Sequence, residues 1–213
     1  MLDALLITGT VTVKADDVQI RRTRILSGGR TPIRLHANNL LVEDSEIDGQ
    51  GGGGPAVGLN DYVLRRVDIH DVAEGPRIAG GDVVIEDSFI HDIVQVGGNH
   101  TDAVQIVGGD HITLRGNAIE AFDHAGGSLG NAAVQIGEED SPVSGCLVEG
   151  NLLDGGNYTV NAGGGGTTGA VCTFEDNVFG RTSRFGPAGN IGPHIVWAPT
   201  NVWLDTGSPV AVR

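Results

Sequence analysis

The chain has 213 residues, of which 39% are hydrophobic and 4% aromatic, and its 27 acidic and 13 basic side chains give a formal net charge of −14. This excess of acid disfavours nucleic acid and an anionic membrane surface as partners. The charge balance also disfavours a strongly anionic polysaccharide as substrate, because enzymes for such chains usually line their groove with Lys and Arg. Lys14 is the one lysine in the sequence. No apolar run reaches the ~18 residues that a membrane-spanning helix needs.

The first predicted element is a strand in residues 7–13, where apolar and polar residues alternate. This alternation, together with Asp3, favours an opening strand over a secretory signal for residues 2–13. The 35 glycines of the chain are typical of a turn-dense all-β protein. Its length predicts a single domain over residues 1–213.

A short pattern, apolar–x–apolar–x–x–(Ser/Thr/Asn)–x–apolar, then recurs eight times. The third residue of each copy serves as a register mark: Ile20, Val42, Leu64, Ile85, Leu114, Val148, Phe174 and, in a degenerate copy at 202–209, Leu204. The marks lie 21 to 34 residues apart. A near-constant period that only lengthens indicates one structural unit per repeat, with insertions confined to loops.

Each repeat is predicted to contain three short strands. The pattern supplies two of them around a tight turn, because its apolar residues alternate and Gly, Asn or Asp flank it. A further strand precedes most copies, at residues 33–35, 57–59, 76–78, 104–106, 134–136, 160–162 and 195–197. Such a repeat cannot bury its own apolar face, so neighbours must stack about 4.8 Å apart. The sequence therefore predicts an all-β, single-stranded parallel β-helix of about eight coils, with at most a minimal N-terminal cap.

Two polar columns support this register. Three residues after the mark, the tight turn carries Asn117, Asn151 and Asn177, in line with Ser45 and Ser88. Asparagine tolerates the left-handed backbone of a sharp corner, and stacked amides can bond from coil to coil, so an asparagine ladder is predicted. The second column lies three residues before the mark, at another predicted corner: Asp17, Asn39, Asp61 and Asp82.

The two cysteines, Cys146 and Cys172, occupy the same inward column in successive coils. Stacked neighbours fall within the Cα range of a disulfide. An inward aliphatic column is also the ordinary place of a small buried thiol. We expect buried, reduced thiols, with a disulfide as the alternative.

These repeats, with residues 98–106, 131–136 and 201–207, resemble the right-handed parallel β-helix proteins of actinobacteria and their phages, in the pectate-lyase-like superfamily. The resemblance covers essentially the whole chain and implies a right-handed β-helix. The superfamily contains polysaccharide lyases, glycosidases, epimerases, phage tailspikes and non-catalytic repeats, so its fold alone does not select a function. The lyase signatures are not matched: residues 30–34 are only faintly similar to a basic lyase motif, and the epimerase-type Asp-Pro-His-Glu run is absent.

The outward residues of the preceding strands form a predicted polar row: Arg34, Gly58, Arg77, Gln105, Gln135, Asn161 and Val196. Arginines and amides at steps of about 4.8 Å suit sugar hydroxyls and an occasional carboxylate. The alternative interpretation is a solvated stripe with amide bonds between coils. Long insertions at 91–102 and 120–127, and a loop at 137–142, would wall a groove beside this row.

His100 and Asp102, just before one strand of the row, are the best acid and base on offer. Asp102 could instead hydrogen-bond the backbone at a corner. His124, in a loop, is a further candidate for substrate binding. His70-Asp71 and His91-Asp92 repeat one coil apart, so their imidazoles should stack; a metal site there is an alternative to a plain corner ladder with Asp48, Glu120 and Asp154.

The leading hypothesis is a secreted or virion-associated enzyme, a lyase or glycosidase, that cleaves a neutral or weakly acidic polysaccharide. Asp102, His100 and Arg77 would be catalytic, and Arg34, Gln105, Gln135, Asn161 and His124 would bind sugar. No metal or other cofactor is expected, with Ca²⁺ left as an alternative. The rival hypothesis is a non-catalytic glycan-binding or structural module of a phage tail or adhesin.

Overall fold

The structure, a computed structural model, describes residues 1–163 and 169–212. Within these residues every regular element is a β-strand, and none is a helix. Apart from one short hairpin, the paired strands of the described chain run parallel, in three curled sheets of 17, 5 and 3 strands. The predicted all-β parallel solenoid is confirmed.

Each repeat contributes to three stacks of strands, called here stacks A, B and C. Stacks A and B form the large sheet, and stack C forms the two smaller sheets. Stack A contains β1 (Leu2–Asp3), β4 (Gln19–Arg21), β11 (Val83–Glu86), β14 (Ile112–Arg115), β18 (Cys146–Glu149), β21 (Cys172–Glu175) and β24 (Ile195–Trp197). Stack B contains β2 (Leu6–Thr8), β5 (Arg24–Leu26), β12 (Phe89–Ile90), β15 (Ala118–Asp123), β19 (Leu152–Gly155), β22 (Val178–Phe179) and β25 (Val202–Trp203), while β7 (Leu40–Asp48) and β9 (Tyr62–His70) run through both stacks. Stack C contains β3 (Val11–Val13), β6 (Ile33–Leu35), β8 (Val57–Gly58), β10 (Arg77–Ala79), β13 (Asp102–Gly108), β17 (Ala132–Ile136), β20 (Tyr158–Ala162) and β23 (Gly186–Gly189). The remaining strand, β16 (Ser128–Leu129), folds back on β15.

The predicted register holds through seven repeats. The marks from Ile20 to Phe174 are consecutive partners in stack A, and all seven are fully buried. Stack B lines the same interior with fully buried residues: Ile25, Ile47, Ile69, Ile90, Ile119, Leu153 and Phe179. Each such side chain stabilises the fold by about 1.5–3 kcal/mol through burial.

The first and last repeats differ from the prediction. Leu2 pairs with Ile20, so a further copy of the repeat precedes the eight that were predicted. At the other end, Trp197 and not Leu204 pairs with Phe174, and Leu204 is exposed. The predicted copy at 202–209 is therefore wrong. The true copy begins at Ile195, and it escaped the pattern because Pro199 and one extra residue separate its mark from Asn201.

Buried asparagines hydrogen-bond in series along the late repeats. Asn117 Nδ2 donates to Asn151 Oδ1 over 2.9 Å, Asn151 Nδ2 donates to Asn177 Oδ1 over 3.0 Å, and Asn177 Nδ2 donates to Asn201 Oδ1 over 2.9 Å. Each acceptor oxygen also takes the backbone N–H of the preceding asparagine. The prediction that each asparagine has a left-handed backbone is wrong. The left-handed residue of each turn directly precedes the asparagine, as at Gly116, Gly150 and Asp176.

The second polar column lies at left-handed corners, as its sequence predicts. Asp17, Asn39, Asp61 and Asp82 all have φ between 57° and 60°. Aspartate and asparagine are enriched there because their short polar side chains bond locally.

Outward residues of stack A alternate in charge along the early repeats. Arg21, Glu43, Arg65 and Glu86 are successive partners, and ion pairs join each to the next. Arg66 also binds Glu43, over 2.8 Å. Hydrogen bonding by Arg66 holds the pKa of the Glu43 carboxyl below its usual value.

Cys146 and Cys172 form a disulfide, so the expectation of reduced thiols is wrong. Their predicted column is right: they are direct partners in stack A, with Cα atoms 4.5 Å apart, and both are buried. Strand pairing brings them together, whereas a pattern of apolar residues in sequence cannot distinguish two thiols from a disulfide.

Candidate functional site

Outward side chains of four neighbouring strands form one polar row. β10, β13, β17 and β20 pair in register, so Arg77, Gln105, Gln135 and Asn161 are consecutive partners, as predicted. Arg77 Nη1 donates to Gln105 Oε1 over 3.1 Å, and Asn161 Oδ1 accepts from the side chain of Asn190 over 2.8 Å. Arginine and amide groups therefore follow each other along one face.

At its two ends the observed row differs from the predicted one. Arg34 is exposed and pairs with Gly58 in the separate three-stranded sheet. An added Cβ at Gly58 would lie 3.5 Å from Arg77 O, so the row continues past Gly58 toward Arg34. Val196 is wrongly assigned to the row, because it pairs with Thr173 in stack A; Gly189 is the partner of Asn161.

Asp102 is a buried carboxyl tied to this row. Asp102 is the first residue of β13 and is 2% exposed. Asn131 Nδ2 donates to Asp102 Oδ1 over 2.8 Å and to Gln135 Oε1 over 3.2 Å. Burial raises the pKa of Asp102 to about 7, against the opposing hydrogen bond from Asn131. Asp102 is thus a carboxyl that exchanges its proton near neutral pH.

Other acidic residues surround Asp102 and Arg77. Burial raises the pKa of Glu74, and the charges of Glu74 and Glu139 add to the rise at Asp102. Arg77 lies 3.8 Å from Glu74 Oε1 and 3.8 Å from Asp140 Oδ2. Arg77 is therefore the cation that balances this acidic part of the row.

His100 lies outside the row, in the wall of a polar cavity of about 160 Å³. The segments that precede β13, β17, β20 and β23 line the cavity: Gln95, Asn99, His100, Thr101, Leu129, Gly130, Asn131, Asn157 and Arg184. His100 is exposed and makes no hydrogen bond to Asp102. Asn131 connects the two places, because it lines the cavity and binds Asp102.

His124 lies in a different cavity, of about 180 Å³, with Glu120, Phe122, Asp154, Gly155 and Thr182. Its Nε2 is 3.0 Å from Glu120 Oε2, and this hydrogen bond raises the pKa of His124. The structure does not bring His124 to the polar row, so its predicted role in sugar binding remains a prediction.

His70 and His91 stack as predicted, with ring centroids 5.3 Å apart. One donor atom each from His70, Glu46 and Asp48 lies within 4.8 Å of the others, so this group could hold a metal ion. Arg24 already forms ion pairs with both carboxylates, with Nε 2.8 Å from Glu46 and Nη2 3.4 Å from Asp48. A corner ladder of histidines and acids is the simpler description.

Asn131, Glu74 and Arg184 were not singled out from the sequence. Asn131 directly precedes β17, at the position matching Thr101, which the repeat register could have indicated. Arg184 comes to the cavity through a turn that no repeat pattern covers, so nothing in the sequence pointed to it.

Comparisons with protein-family models, with curated proteins and with solved structures gave no match. Among the residues that the structure describes, none belongs to a helix long and apolar enough to cross a membrane.

Proposed function

We propose that the protein is a carbohydrate-active enzyme that cleaves a neutral or weakly acidic glycan lying along the polar row. The observation that carries this proposal is Asp102, a buried carboxyl with a pKa of about 7 beside a row of arginine and amide groups. A carboxyl that keeps its proton near neutral pH can donate it to a glycosidic oxygen.

In the proposed hydrolysis, Asp102 gives its proton to the leaving glycosidic oxygen as the bond to the anomeric carbon breaks. Water adds to that carbon, and His100 takes the proton that the water loses. Arg77 is the proposed electrostatic partner of the acidic groups. Gln105, Gln135 and Asn161 would hold sugar hydroxyls, and Arg34 and His124 would contact more distant sugar units.

We also propose that the solenoid is a right-handed parallel β-helix with an asparagine ladder, similar to pectate-lyase-like proteins. Support comes from the three strand stacks and from the serial hydrogen bonds of Asn117, Asn151, Asn177 and Asn201. The disulfide supports an extracellular or virion location, because disulfides persist mainly in oxidising compartments.

The test combines glycan-array binding with release of reducing ends from the glycans that bind. Asp102→Asn should abolish turnover while leaving affinity nearly intact, because only proton donation is lost. Asp110→Asn, at an exposed position just beyond the end of the same strand, serves as the matched control and should keep full activity. Full activity of Asp102→Asn would refute the catalytic role.

A non-catalytic glycan-binding module is the second candidate. The observation that favours it is that row side chains are already hydrogen-bonded, Arg77 to Gln105 within the row and Asn161 to Asn190 just beyond it, which leaves fewer free groups for a substrate. Binding without reducing-end release would select this candidate. Altered sugar composition without chain cleavage would instead indicate an epimerase.

A further inference from the structure

The cavity beside His100 differs in charge from the rest of the molecule. None of its nine lining residues is acidic, although the chain carries 27 acidic and 13 basic residues. Arg184 and His100 are the two basic residues of the lining. Among the described residues Arg184 has no carboxylate partner, and its guanidinium lies 5.9 Å from the centre of the Phe185 ring, so its charge is available to an anion. A carboxylate-free cavity with a free guanidinium favours an anion.

Thr101 supplies an independent observation. It is 2% exposed, and its hydroxyl has no hydrogen-bond partner among the described residues. A Cβ added to Gly130, another lining residue, would lie 3.4 Å from Thr101 Oγ1, so the glycine keeps a side chain away from this hydroxyl on that side. An unpaired buried hydroxyl is costly unless a ligand or water completes its hydrogen bonding.

Asn157 adds a further donor. Its side-chain nitrogen makes no hydrogen bond within the described part of the chain, and it lines the same cavity. The amide nitrogen of Asn131, in contrast, is already used by Asp102 and Gln135. The free donors of the cavity are thus a guanidinium, a hydroxyl and an amide.

We propose that this cavity binds a single oxyanion group, a carboxylate or a sulfate, with Arg184, Thr101 and Asn157 as its donors. The inference extends the proposed function, because Asn131 joins the cavity to Asp102 and the polar row: the oxyanion would be a substituent of the bound glycan. A guanidinium and two neutral donors match the several lone pairs of such a group. A single charged substituent also agrees with a chain whose overall charge repels polyanions.

The test measures binding of inorganic sulfate, of glucuronate and of glucose by calorimetry at constant ionic strength. Sulfate or glucuronate should bind, and glucose should bind at least tenfold more weakly. Binding of sulfate alone would indicate a sulfate ester, and binding of glucuronate alone a carboxylate. Binding of glucose as tight as that of the anions, or no binding of either anion, would overturn the proposal.

Matched variants assign the donors. Arg184→Gln and Thr101→Val should each weaken anion binding at least fivefold, whereas Thr101→Ser should retain it. Arg181→Gln, which removes a nearby arginine already paired with Asp205, should leave binding unchanged. Thr101→Val should not lower the melting temperature without ligand, because it removes an unpaired buried hydroxyl. Unaltered binding in Arg184→Gln would refute the assignment. These readouts involve no turnover, so they stand or fall separately from the catalytic role of Asp102.

Discussion

Asn131 donates a hydrogen bond from its side-chain nitrogen to Asp102 Oδ1, over 2.8 Å. The bond favours the ionised carboxylate, yet burial outweighs it and keeps the pKa of Asp102 near 7. The amide thus holds a carboxyl in place without forcing it to lose its proton. A positioned, protonated carboxyl is what the proposed proton transfer requires.

We expect the free energy of unfolding to fall as the pH rises from 5 to 8. The pKa of Asp102 rises from its ordinary value of 3.8 to about 7 on folding. Its stabilising contribution is therefore fully present below the unfolded pKa and is lost as the pH rises through about 7. The slope between pH 5 and 7 should be about 1.4 kcal/mol per pH unit. Urea unfolding at each pH measures it.

Asp102→Asn should flatten this dependence, because the amide does not titrate. His70 adds a smaller term of the same sign: burial lowers its pKa, but the hydrogen bonds to Asp71 and Glu46 raise it further, so its contribution is also lost with rising pH. His70→Gln is the comparison that removes this term alone. An undiminished slope in Asp102→Asn would show that Asp102 is not the titrating group.

Asn151→Leu should destabilise the fold by roughly 1–3 kcal/mol. Asn151 is 1% exposed, donates to Leu114 O and Asn177 Oδ1, and accepts from Asn117. Leucine leaves these buried groups without partners. Asn60→Leu, at an exposed position, is the control. Equal melting temperatures for both variants would show that the asparagine series contributes nothing.

The double variant Cys146→Ala/Cys172→Ala should lower stability by about 3 kcal/mol, since the disulfide closes a loop across 26 residues of sequence separation. The native protein should show no free thiol toward a thiol reagent, with or without denaturant. Two reactive thiols in the denatured, unreduced protein would contradict the disulfide.

Gln105→Ala and Gln135→Ala should each weaken glycan binding by roughly 1 kcal/mol, the loss of one neutral hydrogen bond. Both side chains are half-buried on the open face of stack C, so the melting temperature should change little. Titration with an oligosaccharide that the native protein binds measures the affinity, and thermal denaturation measures the stability. A matching fall in stability would instead mark both residues as structural.

Much of the fold could be predicted from the sequence, because a buried column must be apolar in every repeat. The marks from Ile20 to Phe174 are such a column, and alternation alone fixed their register. The last repeat could not be found this way, since Pro199 breaks the alternation while Trp197 still pairs with Phe174.

The candidate site was predictable only in part. Gln105 and Gln135 followed from the register, because outward positions of paired strands must align. The cavity formed by Thr101, Asn157 and Arg184 depends on how segments between the strands of successive repeats meet, which strand periodicity does not determine. Likewise, Asn131 acts on Asp102 through a side-chain hydrogen bond between successive repeats, which the spacing of residues in the sequence does not reveal.

Ion pairs on the outer face run from Arg21 and Glu43 in an early repeat to Arg115 and Glu149 in a late one, whereas the disulfide and the asparagine series lie in the late repeats. Salt screens ion pairs but leaves buried amides and a covalent bond unaffected. The late repeats therefore keep bonds at high salt that the early repeats lack. We expect high salt to weaken the early repeats more than the late ones and a reductant to act on the late repeats, so hydrogen exchange at each end would separate the two effects.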